Sequence, residues 1–256
     1  MHVDLEHLTV ETDGAVARVT LDRPGRLNAM HYPTVRDLDA VSQLLADDEE
    51  IRLVAIRGAG RAFSTGIDLK ELSSGAIDHG YHVVFERAKR RFETMDKLVL
   101  CLVHGYGLGG GLQLALSCDI RVATPSARLG LPATKESLIP GLATMRLARY
   151  VGMGRAKRLT LLGDDIDGEE AHRIGLVDHL VDDEDPSAEF DGWIDRYMDA
   201  NSEGCRLSKQ AMVGAFDLDH EAFLDRYLEL QAEAHDSHDF EEAMAAYRED
   251  REPEWR

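Results

Sequence analysis

Residues 105–119 read GYGLGGGLQLALSCD, and five of the first seven are glycine. Such a run bares the backbone just before an apolar stretch, LQLALS. There the chain either comes close to a ligand or packs tightly against itself. Gly105, Gly107 and Gly110 also fit G-x-G-x-x-G, the dinucleotide fingerprint. That fingerprint belongs after the first strand of a βαβ unit, with an acidic residue ~20 positions on to hold a ribose. Here it begins at residue 105, and the corresponding region after it reads TPSARLG, with no acid. The sequence therefore argues against a nucleotide cofactor. Two readings remain. The free N–H groups of a helix start stabilise some other anion, or the glycines only permit close packing.

The surrounding pattern is α/β. LTVETDGAVARVTLDRP alternates apolar residues on either side of Asp13-Gly14, which predicts a hairpin. Pro33 opens a helix with Val35, Leu38, Val41, Leu44 and Leu45 on one face. LVAIRG (53–58), LVLCLV (98–103) and DIRVAT (119–124) predict strands, separated by a helix over 81–96 and a short helix after Gly109. Beyond residue 141 the chain turns mostly helical, with one more strand in LVDHLV. DDEDP (182–186) is a polar break. Residues 187–250 predict three or four amphipathic helices. The division expected is a core over 1–185 and a helical region over 186–256.

The charge narrows the partners. The chain of 256 residues has 48 acidic residues against 29 basic ones, a net charge of −19, and only six of the basic residues are lysine. So acidic a surface repels phosphate backbones and anionic lipid, so no nucleic acid and no membrane is expected as a partner. Hydrated carboxylates with scarce lysine also resemble the composition of halophilic archaeal proteins. Cys101, Cys118 and Cys205 lack C-x-x-C spacing, which argues against a disulfide framework or a zinc site. HDSHD (235–239) is read as a helix junction, and no metal site is expected. The N-terminal stretch has no basic start and no apolar core of a signal peptide, so a cytoplasmic location is expected.

A second stretch sharpens the choice between the two readings of the glycines. GAGRAFSTGIDLKEL (58–72) takes a strand into a Gly-containing turn, and Asp68-Leu69-Lys70 can start a helix. Two such junctions facing one point would make an oxyanion hole for an enolate or tetrahedral thioester oxygen. Here the sequence resembles the crotonase family, the enoyl-CoA hydratase/isomerase superfamily. The resemblance rests on LDRPGRLNAM (21–30), GRAFSTGIDLKEL (60–72), HGYGLGGGLQLALSCDIRVAT (104–124), LGLP…LIPG (129–141) and EEAHRIGLVDHLV (169–181). Each is weak alone, but their order and spacing are specific. The resemblance implies a β–β–α superhelical core and a C-terminal helical region that supports a homotrimer or a dimer of trimers. It implies an acyl-CoA thioester substrate and no separate cofactor. It places the oxyanion donors at the Ile67 and Gly110 N–H groups, beside Gly66 and Gly109. It runs the CoA past Arg26, Ala29 and the backbone at Thr65, Asp68 and Leu69. Asp68 is also a natural helix N-cap, and Arg26 is either a phosphate contact or an exposed loop cation.

The catalytic positions depart from the family pattern. Typical hydratases use two Glu residues for general acid–base work. The first falls at Gln113, an amide that cannot usefully exchange a proton. The second falls at Ala133. The candidates to replace them are Glu136, one helical turn from Ala133, and Glu86, at the position of the active-site His of related aryl-CoA dehalogenases. His82 lies one turn before Glu86, while Lys135 and His31 are weaker candidates. The bland alternative for Glu86 and Glu136 is a solvent-facing helical charge. The function expected is an acyl-CoA enzyme, a lyase or isomerase. The rival readings are an acyl-CoA binder without turnover, a CoA-ester hydrolase or decarboxylase branch, and an RNA-binding homologue, which the charge disfavours.

Overall fold

The structure, a computed structural model, describes residues 5–255. Strands β1 (Leu8–Asp13) and β2 (Val16–Leu21) form the expected antiparallel hairpin. Helix α1 (Tyr32–Asp47) carries its proline in the first turn. Then come β3 (Leu53–Gly58), α2 (Leu69–Ser74), α3 (His79–Thr94), β4 (Leu98–Val103), β5 (Tyr106–Leu108) and α4 (Gly110–Ala115). The series continues through β6 (Ile120–Ala123), β7 (Arg128–Gly130), a 3-10 turn at Pro132–Glu136, α5 (Ala143–Val151), α6 (Met153–Leu162), β8 (Asp165–Asp167), α7 (Gly168–Arg173) and β9 (His179–Leu180). Four helices close the chain: α8 (Pro186–Asp199), α9 (Glu203–Gly214), α10 (His220–His235) and α11 (His238–Glu249).

The larger sheet has the order β1-β2-β3-β4-β6-β9, parallel from β2 onward. Its central strand explains why LVLCLV is apolar without alternation. Val99, Cys101 and Val103 face the main core, which α1 and α3 help to build. Leu98, Leu100 and Leu102 face the opposite side, where Phe190 and Ile194 of α8 cover them. A parallel strand buried on both faces needs apolar residues at every position. The expected boundary near residue 185 coincides with the start of α8, yet α8 closes the core of the main sheet.

A smaller sheet, β5-β7-β8, lies within stretches expected to be loop or helix. The chain repeatedly runs from a strand of the large sheet, through a short extended segment, into a helix. The extended segments also pair with one another: Met30 bridges Ile67, and Ser64 bridges Gly107. This is the β–β–α pattern, and it stacks the segments just before α2 and α4 side by side. The LVDHLV strand is shorter than expected. The Val177 N–H bonds back to the Ala171 carbonyl, and the strand proper is His179–Leu180 in register with β6, flanked by the Asp178 and Val181 N–H groups donating to the Arg121 and Ala123 carbonyls.

Candidate active site

The two glycine-bearing junctions are stitched together by backbone hydrogen bonds. The Ser64 N–H donates to the Tyr106 carbonyl at 2.8 Å, and the Leu108 N–H donates to the Ser64 carbonyl at 2.9 Å. The Met30 N–H donates to the Gly66 carbonyl at 2.7 Å, and the Asp68 N–H donates to the Met30 carbonyl at 3.0 Å. These bonds use the groups on either side of Ile67. Among the described residues, neither the Ile67 nor the Gly110 N–H has a protein acceptor. Gly66 sets how close the junctions come. Its φ is +87°, and a Cβ there would stand 2.6 Å from both the Gly110 nitrogen and the Leu108 oxygen. No side chain fits that gap.

Both residues line a cavity of about 530 Å³. Thr65, Leu69 and Gly109 line it as well, with Leu72, Phe85, Leu138 and Ile139 among the apolar wall. Asp68 caps α2, accepting the Lys70 N–H at 3.1 Å, and pairs with Arg23 at 3.4 Å. Arg23 also donates to the Ala29 carbonyl. Arg26 stands exposed on the 3-10 turn Pro24–Arg26, and neither it nor Ala29, Gly66 or Asp68 is part of the cavity wall. His31 bonds Thr34 at 2.7 Å, and Lys135 is exposed; both also lie outside the wall.

The catalytic candidates meet in the same cavity. Gln113 is buried and lines it, as do Ala133 and Glu136, which share a face of the 3-10 turn. Glu136 is exposed. Glu86 departs from the solvent-facing alternative. Its side chain is only 24% exposed, and its oxygens accept from Lys89 at 2.6 Å, the Leu142 N–H at 3.1 Å and Arg146 at 3.0 Å. Burial alone would push the Glu86 carboxyl up. The Lys89 charge and these donors outweigh it and hold the carboxyl below its ordinary range. His82 lines the cavity too, and burial with the nearby Lys89 charge lowers its pKa.

Lys89 is the residue that sequence reasoning missed. Its side chain is 1% exposed, its Nζ lies 2.7 Å from Gln113 Oε1, and the ammonium sits over the Phe85 ring, 4.1 Å from its centroid. Burial brings its pKa down to about 8, with the Glu86 charge resisting that shift. The signal was present in the sequence. Tyr81, Phe85, Ala88, Lys89 and Phe92 form the buried stripe of α3, so a lysine occupies a core position. Gly141, at φ +51°, backs onto this cluster, where a Cβ would stand 2.6 Å from Gln113 Oε1 and 2.7 Å from Glu86 Oε1.

An apolar cavity with two unclaimed N–H groups at one wall and a buried proton-bearing cluster at another is suited to enolate chemistry. The comparisons with known proteins agree with that class. The enoyl-CoA hydratase/isomerase family profile matches residues 11–256, and this chain belongs to that family of lyases and isomerases. It is 34% identical over 256 residues to a short-chain-enoyl-CoA hydratase of Clostridium acetobutylicum, covering 98% of each chain. It is 31% identical over 254 residues to a crotonyl-CoA hydratase of Syntrophomonas wolfei, covering 96% of each. Its fold matches the crystal structure of an enoyl-CoA hydratase from Bacillus anthracis with a TM-score of 0.90 at 27% identity, covering 98% of this chain and 99% of that one. A Thermobifida fusca protein solved in complex with acetoacetyl-CoA matches at a TM-score of 0.81 and 29% identity, covering 89% and 94%. The expected crotonase fold is therefore the observed one.

Proposed function

We propose that this chain acts on an acyl-CoA thioester whose carbonyl oxygen is held by the Ile67 and Gly110 N–H groups, and that it is a poor hydratase. The observation that carries the first half is the pair of unclaimed N–H groups facing one cavity. Preorganised donors of this kind stabilise an enolate oxygen without reorganising during the reaction. CoA itself belongs to the substrate, and no separate cofactor is invoked. The complex of the Thermobifida protein with acetoacetyl-CoA supports the substrate class.

The second half rests on Gln113 and Ala133. Hydration needs a base for water and an acid for the α-carbon. Neither residue can serve, although the named relatives are hydratases. A second reading, acyl-CoA binding without turnover, draws on the same two residues. Turnover of a panel of CoA esters followed by mass spectrometry separates the two. Consumption of any ester supports the enzyme, and tight binding with no product supports the binder.

Assembly as a trimer or a dimer of trimers is part of the proposal. Met212, Leu228 and Tyr247 of the last three helices, Phe216 in the turn between α9 and α10, and Leu161 and Leu162 of α6 are more than half exposed, as apolar residues awaiting a neighbouring copy would be. A cytoplasmic setting rich in salt fits the charge. Among the described residues no helix is long and apolar enough to cross a membrane.

A further inference from the structure

We propose that Lys89 is the proton carrier of this pocket: its amine takes a proton from C2 of an uncharged 3-enoyl-CoA and returns it at C4. The proposal rests on the acyl-CoA reading above. The step balances without a co-reactant. The C2–H bond breaks to the Lys89 nitrogen, and the electron pair spreads through the dienolate onto the thioester oxygen at Ile67 and Gly110. The Lys89 ammonium then gives the proton to C4, and the double bond moves from C3–C4 to C2–C3. One carrier suffices for this shift, whereas hydration needs two roles.

The geometry singles out Lys89. An ammonium has three N–H donors. Two are used by Glu86 and Gln113, and the ammonium also sits over the Phe85 ring of the wall, so among the described residues the third N–H meets no oxygen or nitrogen acceptor, on a side chain that lines the cavity. Glu86 is committed to Lys89, the Leu142 N–H and Arg146, so it acts as a positioning residue. Glu136 is exposed, where water competes for any proton it holds. The wall at Ile67, Leu72, Phe85, Leu138 and Ile139 is apolar. The Lys89 charge is already matched by Glu86, so a carboxylate on the acyl chain would meet an anion beside the one buried lysine or arginine of the wall among the described residues. An uncharged chain fits.

The charged and titratable groups around Lys89 are Glu86, Glu93 and His82 on its own helix and Arg146 on α5; Gln113 of α4 is neutral, and Glu136 lies on the cavity wall. Burial moves Lys89 down to about 8, so more of it is free amine near neutral pH than of an unperturbed lysine. Catalysis by the amine therefore rises with pH through about 8.

The test uses the full-length protein and 3-hexenoyl-CoA, with formation of the conjugated 2-enoyl thioester followed by absorbance and mass spectrometry. Lys89→Arg keeps the cation but cannot give it up. It is expected to lower kcat by ~100-fold or more while CoA-ester Kd and melting temperature stay close to wild type. Wild-type kcat should rise through about pH 8. Glu86→Gln removes a charge that favours the ammonium and should move that limb to lower pH, a change that mere loss of packing would not produce. If Lys89→Arg does not fold, the wild-type and Glu86→Gln profiles decide alone. Full turnover by Lys89→Arg, a flat wild-type profile, or a limb unmoved by Glu86→Gln overturns the role of Lys89. Turnover of other CoA esters but not of the 3-enoyl ester overturns the reaction. A wild type that binds no CoA ester overturns the acyl-CoA reading beneath both.

Discussion

Lys89 Nζ and Gln113 Oε1 lie 2.7 Å apart inside the cavity. The contact joins a position where the family pattern expects a carboxylate to a cation that the pattern does not anticipate. An amide at 113 accepts from Lys89 without adding charge, leaving Glu86 as its sole hydrogen-bonded anion. The Gln113 amide and the buried lysine are thus one arrangement.

Crotonyl-CoA hydration by the wild type is expected to be weak or absent, since each missing acid–base group normally contributes about 10²–10⁴-fold. Gln113→Glu with Ala133→Glu should raise it. Gln113→Glu alone should gain little, because Ala133 still leaves the second acid–base role unfilled. Steady-state hydration assays of the single and double variants check this. Efficient wild-type hydration would show that the acid–base positions are misassigned.

Gly66→Ala tests the close approach of the two junctions. Its Cβ would meet the Gly110 nitrogen and the Leu108 oxygen, both backbone atoms, at 2.6 Å, on a residue at φ +87°. A stability loss of about 1–3 kcal/mol is expected from the strained backbone, read as a lower denaturation midpoint. CoA-ester turnover should fall with it, because the two N–H groups are pushed apart. Unchanged midpoint and turnover would mean that the spacing of the junctions does not matter.

Much of the scaffold was legible in the sequence because periodicity reports burial directly. The hairpin at Asp13-Gly14, the strand at 53–58 and the helix opened by Pro33 all follow local rules. The small sheet was not legible. Its three strands have only three residues each and are defined by partners far along the chain, such as Tyr106 opposite Arg128. The two backbone junctions were legible because glycines mark them, at Gly66 and Gly109–Gly111, while the donor roles of Ile67 and Gly110 came only from the resemblance. The site was not legible where it depends on which way a helix turns. Lys89 looks like one more charge in FERAKRRF unless it is set on the stripe of Tyr81, Phe85, Ala88 and Phe92, and the packing of α3 then turns it onto Glu86 and Gln113.

Salt should matter to folding. With a net charge of −19, dilute buffer leaves carboxylate repulsion unscreened over ~10 Å or more. The melting temperature should rise from dilute buffer to molar potassium chloride. The same melting temperature in both would separate the acidic composition from salt adaptation.

Assembly is read by light scattering. The exposed apolar side chains of α6 and α9–α11 should be covered in a trimer or hexamer at molar salt. A monomer at every salt concentration would contradict this. So would an unchanged mass for a variant in which Leu161 and Leu162, exposed by 68% and 61%, are replaced by Asp.

The central claim is that two backbone N–H groups hold the thioester oxygen. A crystal structure with a bound, unreactive acyl-CoA analogue tests it most directly. The oxygen is expected ~3 Å from both the Ile67 and Gly110 nitrogens, with the acyl chain running toward Lys89. A thioester carbonyl bound in the cavity but directed away from both nitrogens would contradict the account.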